Sequence, residues 1–166
     1  KEIKVTGNDV TRDDVIRREV FLNPGDRFDG NLLEATRIRL NNTEYFEEVR
    51  MNLEDIEGDD EFSNLIIDVD EGKTGFWNFG FGYNTDEGFG GYTELKLDNF
   101  DITKWPDFSG GGQQLRIKLA LGQRRTEYNI GFTDPEFFGY PLGFGIDLFD
   151  ESVQYTGGTE YSEESS

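Results

Sequence analysis

Within residues 65–83 the chain passes from one kind of strand pattern to another. Leu65, Ile67 and Val69 alternate with Ile66, Asp68 and Asp70, giving one buried and one wetter face, as in the last strand of a small soluble domain. From Phe76 the alternation has a different chemistry. Trp77, Phe79, Phe81 and Tyr83 fall on one side and Asn78, Gly80, Gly82 and Asn84 on the other, so one face is aromatic and the other small or polar. A transmembrane β-strand has that arrangement, with lipid on one side and water or packed backbone on the other. Glu71-Gly72-Lys73-Thr74-Gly75 is a short hinge. It predicts a water-soluble domain that runs directly into a membrane sheet.

The residues before this stretch read as a small α+β unit. Ile3 and Val5 alternate with Lys4 and Thr6 and stop at Gly7-Asn8, a short strand and a turn. Thr11 with Asp14 three residues on has the form of a capping box, and Val10 and Val15 that of a hydrophobic staple, which predicts a helix over about 12–20. After the turn at Asn23-Pro24-Gly25-Asp26, a second helix opens near Asp29 to Asn31, aligns Leu33, Thr36 and Leu40, and ends at Asn41-Asn42. Asn41-Asn42-Thr43 also fits a glycosylation triplet, but a helix end explains it better. A strand over 46–53 sets Val49, Met51 and Leu53 against Glu48, Arg50 and Asn52. The acidic run at 54–61 lacks the spacing of an EF-hand loop and reads as a solvated hairpin tip; a metal on Asp55, Asp59 and Asp60 would be the alternative. The order over 1–71 is β-α-α-β-β, which two helices packed on one face of a three-stranded sheet would satisfy.

After Phe76 the helical period disappears. Hairpin-linked strands are predicted at 76–84, 89–99, 113–122, 126–133 and 142–150, an all-β antiparallel meander. Their apolar sides carry Leu95 and Leu97 with Thr93; Leu115, Ile117 and Leu119; Tyr128, Ile130 and Phe132; then Leu142, Phe144, Ile146 and Leu148. The opposite sides carry Glu94, Lys96, Arg116 and Lys118. In a soluble sandwich the apolar side would be the core. In a barrel it faces lipid, the charges line a wet interior, and Trp77, Tyr83, Phe100 and Trp105 at strand ends suit an interfacial girdle. Since the smallest such barrels have about eight strands, a barrel reading needs further strands from outside this chain.

Composition removes several function classes. Thirty-five acidic against 16 basic residues give a net charge of -19, which disfavours nucleic acid as a partner. The absence of cysteine and histidine removes thiolate chemistry, disulfides, the usual general base and the commonest metal ligand. Gly80-Phe81-Gly82 lies within a strand, so it is no phosphate loop. No catalytic constellation and no cofactor are predicted. The start in mid-pattern at Lys1 and the polar tail at 151–166 read as a piece of a longer exported protein with any targeting segment removed.

Several motifs carry a family resemblance. IKVTGN at 3–8, PGDRFD at 24–29, LNNTEYFEEVRMNLED at 40–55 and LIIDVDEG at 65–72 resemble a POTRA domain. FGFGYNTDEGF at 79–89, LDNF at 97–100 and FTDPEFFGYPLGFGIDLF at 132–149 resemble the start of the barrel in the BamA family of outer-membrane barrel assembly proteins. The resemblance implies a membrane-proximal POTRA domain at 1–72 and the first five barrel strands at 76–150. The segment at 102–112 is longer than the tight turn expected there. The resemblance also implies the bacterial outer membrane as location, with the N-terminal domain in the periplasm. Its implied partners are unfolded outer-membrane proteins, accessory periplasmic lipoproteins and outer-membrane lipid. The client-binding POTRA edge would be Val49, Arg50, Met51, Asn52 and Leu53. The seam strand, which templates incoming strands, would be Phe76, Trp77, Asn78, Phe79, Gly80, Phe81, Gly82 and Tyr83. Gly80 and Gly82 either weaken that seam or make room in a crowded lumen.

Overall fold

A computed structural model describes residues 2–56, 59–85 and 88–154, excepting the side chains of 59–62 and 84. The N-terminal unit contains β1 (Ile3–Thr6), α1 (Asp13–Arg17), α2 (Gly30–Asn42), β2 (Phe46–Ile56) and β3 (Asp59–Glu71). Its sheet has the order β1-β3-β2, with β1 parallel and β2 antiparallel to the central strand. Ile67 and Val69 face the helices from that strand and meet Val15, Ile16 and Leu40 in the core. Burying a side chain such as Ile16, Leu40 or Ile67, each fully covered, contributes roughly 1.5–3 kcal/mol.

Local chemistry sets the element ends. Asp29 caps α2 by accepting from the Asn31 amide at 2.8 Å, and the Thr43 hydroxyl donates to the Leu40 carbonyl at its other end. Thr36, on the buried face, accepts from the Phe21 amide and so ties α2 to the segment before it. A bulge between Phe46 and Glu48 brings both Phe46 and Val49 to the core despite their odd spacing. Residues 57–58, between β2 and β3, lie outside the described residues, as do the side chains of Asp59 and Asp60. Asp55 accepts from the Ser63 hydroxyl.

Helix α1 is shorter than the pattern predicts, and Thr11 is not its cap. Arg12 occupies that position with no capping bond from its side chain, while Thr11 is buried. Its amide donates to Glu71, and its hydroxyl accepts from Asn99 at 2.8 Å. The long-range partner has taken the group that would have closed the helix.

The second unit is a single antiparallel sheet of β4 (Gly75–Asn84), β5 (Gly88–Phe100), β6 (Gln113–Gly122), β7 (Arg125–Asp134) and β8 (Phe144–Val153), in sequence order. Strand β8 starts and ends later than the predicted 142–150. Phe137–Gly139 form a short 3-10 turn before it, where the Leu142 carbonyl accepts from the Phe137 amide. Among the described residues no second sheet covers the meander, so the sandwich arrangement is not found.

Candidate functional site

Three surfaces can carry function: the edges of the two sheets, the apolar side of the meander, and the joint between the units. Strand β2 lies at one margin of its sheet, so Val49, Arg50, Met51, Asn52 and Leu53 sit where a further strand can pair. Val49 is buried, Met51 half-buried and Leu53 exposed. Arg50 is already engaged on the solvent face: it donates to Asp68 at 2.7 Å and to Asp70 at 2.7 Å. Those hydrogen bonds hold both carboxyls below their ordinary range.

Strand β4 is the first strand of the open meander, and the sheet order leaves its outer side without a neighbour among the described residues. Trp77, Phe79, Phe81 and Tyr83 project from one face and are all at least 70% exposed. Phe76 and Asn78 lie on the opposite face with Gly80 and Gly82. Gly80 pairs with Tyr92, and a Cβ at Gly80 would stand 2.6 Å from the Tyr92 ring. That glycine makes room for an aromatic ring, whereas nothing lies within 4 Å of a Cβ at Gly82.

Cross-strand register sorts the sheet by chemistry. One row joins Leu97, Leu115, Phe132 and Ile146; the next joins Trp77, Leu95, Ile117, Ile130 and Leu148; Phe79, Thr93, Leu119 and Tyr128 form a third. Phe144 enters the same face beside Asp134 at the end of β7. On the other face Lys118 meets Glu127 at 2.8 Å, Arg125 meets Glu151 at 3.2 Å, and Arg116 lies 3.9 Å from Glu94. Phe149 also stands on this charged side, 79% exposed. Apolar residues outside and paired charges inside are the two-sided chemistry of a barrel wall. The strands have 10 to 13 residues, long enough to cross a hydrocarbon layer at about 9–11 residues each. No described helix is long and apolar enough to cross a membrane.

The joint is the part that sequence reading missed. Residues 101–112, joining β5 to β6, fold back onto the N-terminal unit. Asn99 donates to the Thr11 hydroxyl and accepts from the Gly112 amide, the Gly110 carbonyl accepts from the Arg12 amide at 2.9 Å, and the buried Tyr45 hydroxyl donates to the Gly112 carbonyl at 3.2 Å. Arg18 reaches Gly112 and, at 3.7 Å, Glu136 in the turn before β8. Arg12 and the buried Asp101 add a 3.4 Å ion pair. Burial pushes the Asp101 carboxyl up, but the Thr103 hydrogen bonds and the positive charge of Arg12 and Lys104 hold it below its ordinary range. The glycine run at 110–112 and the extra length of the segment were the available signals; which surface it would meet was not written in either. No described group of acidic side chains is arranged to hold a metal.

Comparison with known proteins agrees with this division. Residues 1–72 match the POTRA family model, described as surface antigen variable number repeat, and residues 107–166 match the Omp85 superfamily domain. The outer membrane protein assembly factor BamA of Nitratidesulfovibrio vulgaris is 31% identical over 147 residues, 89% of this chain and 17% of that protein. BamA of Buchnera aphidicola is 29% identical over 155 residues, 93% of this chain and 24% of that protein. The crystal structure of BamA from Haemophilus ducreyi lacking POTRA domains 1-3 superposes with a TM-score of 0.77 at 26% identity, over 95% of this chain and 28% of that one. CdiB from Acinetobacter baumannii shares the fold, with a TM-score of 0.57 at 15% identity over 91% of this chain and 28% of that one. The chain thus spans a quarter or less of the curated relatives it matches. Its place is the bacterial outer membrane, with the N-terminal domain in the periplasm. A β-α-α-β-β unit feeding without a linker domain into an open meander of two-faced strands is BamA-like, a POTRA domain leading into the opening strands of an Omp85-superfamily barrel.

Proposed function

We propose that the protein to which this chain belongs folds and inserts barrel proteins into the outer membrane. The observation that carries this reading is the place of β4, the first strand of a membrane-type sheet directly after the N-terminal domain, with no neighbour on its outer side among the described residues. An unpaired edge accepts another strand through its main-chain groups, so an unfolded outer-membrane protein pairs along Phe76 to Tyr83 while its apolar side turns to lipid. In the periplasm the margin of β2, from Val49 to Leu53, takes an extended client segment in the same way. Because Arg50 is already bound to Asp68 and Asp70, recognition there rests on backbone pairing more than on charge. Accessory periplasmic lipoproteins dock on the N-terminal domain, and lipid covers the face bearing Leu95, Leu97, Leu115, Ile117, Leu119, Tyr128, Ile130, Phe132, Phe144, Ile146 and Leu148. The work comes from burial of the client's apolar surface and from strand pairing, with no enzymatic step and no nucleotide.

A photocrosslinking amino acid in place of Phe81 of the full-length parent tests the reading. During synthesis of new outer-membrane proteins it should capture the final strands of nascent barrels. Adducts confined to the parent's own last strand, with a secreted client trapped near Glu94 or Arg116, would instead identify the translocation pore of a two-partner secretion system.

A further inference from the structure

The segment at 101–112 has a second side. Trp105 is 80% exposed and Ile102 58% exposed, although burying such side chains is worth roughly 1.5–3 kcal/mol each. Their position follows from a row of rings. Phe132 stands on the apolar face of the sheet; Phe100 meets it edge-on at 6.4 Å; Phe108 stacks on Phe100 at 5.7 Å; and Trp105 meets Phe108 edge-on at 5.2 Å. The apolar face therefore continues past the end of β5, down the outside of the segment, on the side of the sheet where the N-terminal domain lies. The charged side chains of the segment are Asp101, Lys104 and Asp107. Asp101 is bound by Thr103 and Arg12, the Lys104 ammonium donates to the Val10 carbonyl at 3.5 Å, and Asp107 stands exposed, so the segment presents no excess of positive charge. Attraction to anionic headgroups is thus a minor factor. A Trp ring, apolar in body with one polar N–H, favours the boundary between headgroups and acyl chains.

We propose that Trp105 and Ile102 seat in the headgroup layer of the periplasmic leaflet, and that the segment thereby couples the orientation of the N-terminal domain to the membrane surface. The inner side of the same segment is bonded to Thr11 and Arg12, so the domain cannot tilt without breaking those bonds or lifting the ring from the lipid. This rests on the reading of the sheet as a barrel wall, which the experiment addresses separately.

The test uses the full-length parent in nanodiscs of phosphatidylethanolamine and phosphatidylglycerol. Nitroxide labels go at Ile102→Cys, Leu148→Cys and Arg27→Cys, and collisions with oxygen and a nickel chelate report depth. Position 148 should read as hydrocarbon, 27 as water and 102 as the layer between. Trp105→Ser should move the label at 102 toward water and broaden, at least twofold, the distance distribution between labels at Arg37 and Ser152. An aqueous label at 102 beside a hydrocarbon label at 148 would overturn the proposal alone, as would an unchanged distribution in Trp105→Ser. Water at both 102 and 148 would overturn the barrel-wall reading, and the proposal with it.

Discussion

Glu71 ends β3 with its carboxylate turned toward the segment before α1, where it accepts from the Val10 amide at 2.8 Å and the Thr11 amide at 2.6 Å. Burial pushes its pKa up, but the bonds from Thr11, Val10 and Asp9 outweigh that and hold it below the ordinary value. A carboxyl whose pKa is lower folded than unfolded adds stability above its unfolded value, about 4.3, and loses it as pH falls through the folded one. Glu71→Gln should therefore cost about 1.5–3 kcal/mol near neutral pH, and the gap from the parent should close on acidification. Hydrogen exchange at the Ile67 and Val69 amides against pH measures it; a gap that does not shrink in acid would remove the charge from the explanation. Gly110 makes a second prediction. It has φ +100, and a Cβ there would lie 2.0 Å from the Val10 carbonyl oxygen. Gly110→Ala should cost more than the roughly 1–2 kcal/mol of a left-handed backbone alone and expose the joint to proteolysis. Gly143→Ala, where nothing lies within 4 Å, should leave the cleavage rate unchanged.

At the scale of elements, the period-two alternation placed each strand of the meander to within a few residues, because an open two-faced sheet repeats the same contrast strand after strand. The order β-α-α-β-β was equally legible. Helix α1 was not. Its predicted cap, Thr11, is spent on Asn99, 88 residues away, and no local pattern records such a partner. The bulge at Phe46 is invisible for a similar reason: only the core shows that Phe46 and Val49 must share a side. Of the candidate sites, the margins occupied by β2 and β4 followed from strand order and resemblance, while the joint at 99–112 did not, since its bonds run between distant backbone groups. Gly80, for which two roles were open, is explained by its neighbour across the strands. Gly80→Val should displace the Tyr92 ring and cost about 1–3 kcal/mol, read as a lower temperature at which the folded barrel loses its resistance to SDS. Adding Tyr92→Ala should restore most of it; failure to do so would mean that crowding at Tyr92 is not why the position is small.

In the whole molecule the two units share one continuous path. Strand β3 ends at Glu71 and β4 begins at Gly75, and between them the Thr74 carbonyl accepts from the Asp98 amide at 2.8 Å while the Gly72 amide donates to the Tyr45 carbonyl at 2.8 Å. Asn99→Ala in the full-length parent should loosen this arrangement, because it removes the bonds to Thr11 and Gly112 together; faster exchange at the Arg12 and Gly112 amides would register it. The base of β4 is thus fastened from both directions, whereas its far end carries Tyr83 about 27 Å further along at the usual rise per residue. Strand β4 is also paired with β5 along its whole length, from Gly75 opposite Leu97 to Tyr83 opposite Phe89. A strand arriving at its outer side therefore meets a rail whose register is already set from foot to tip.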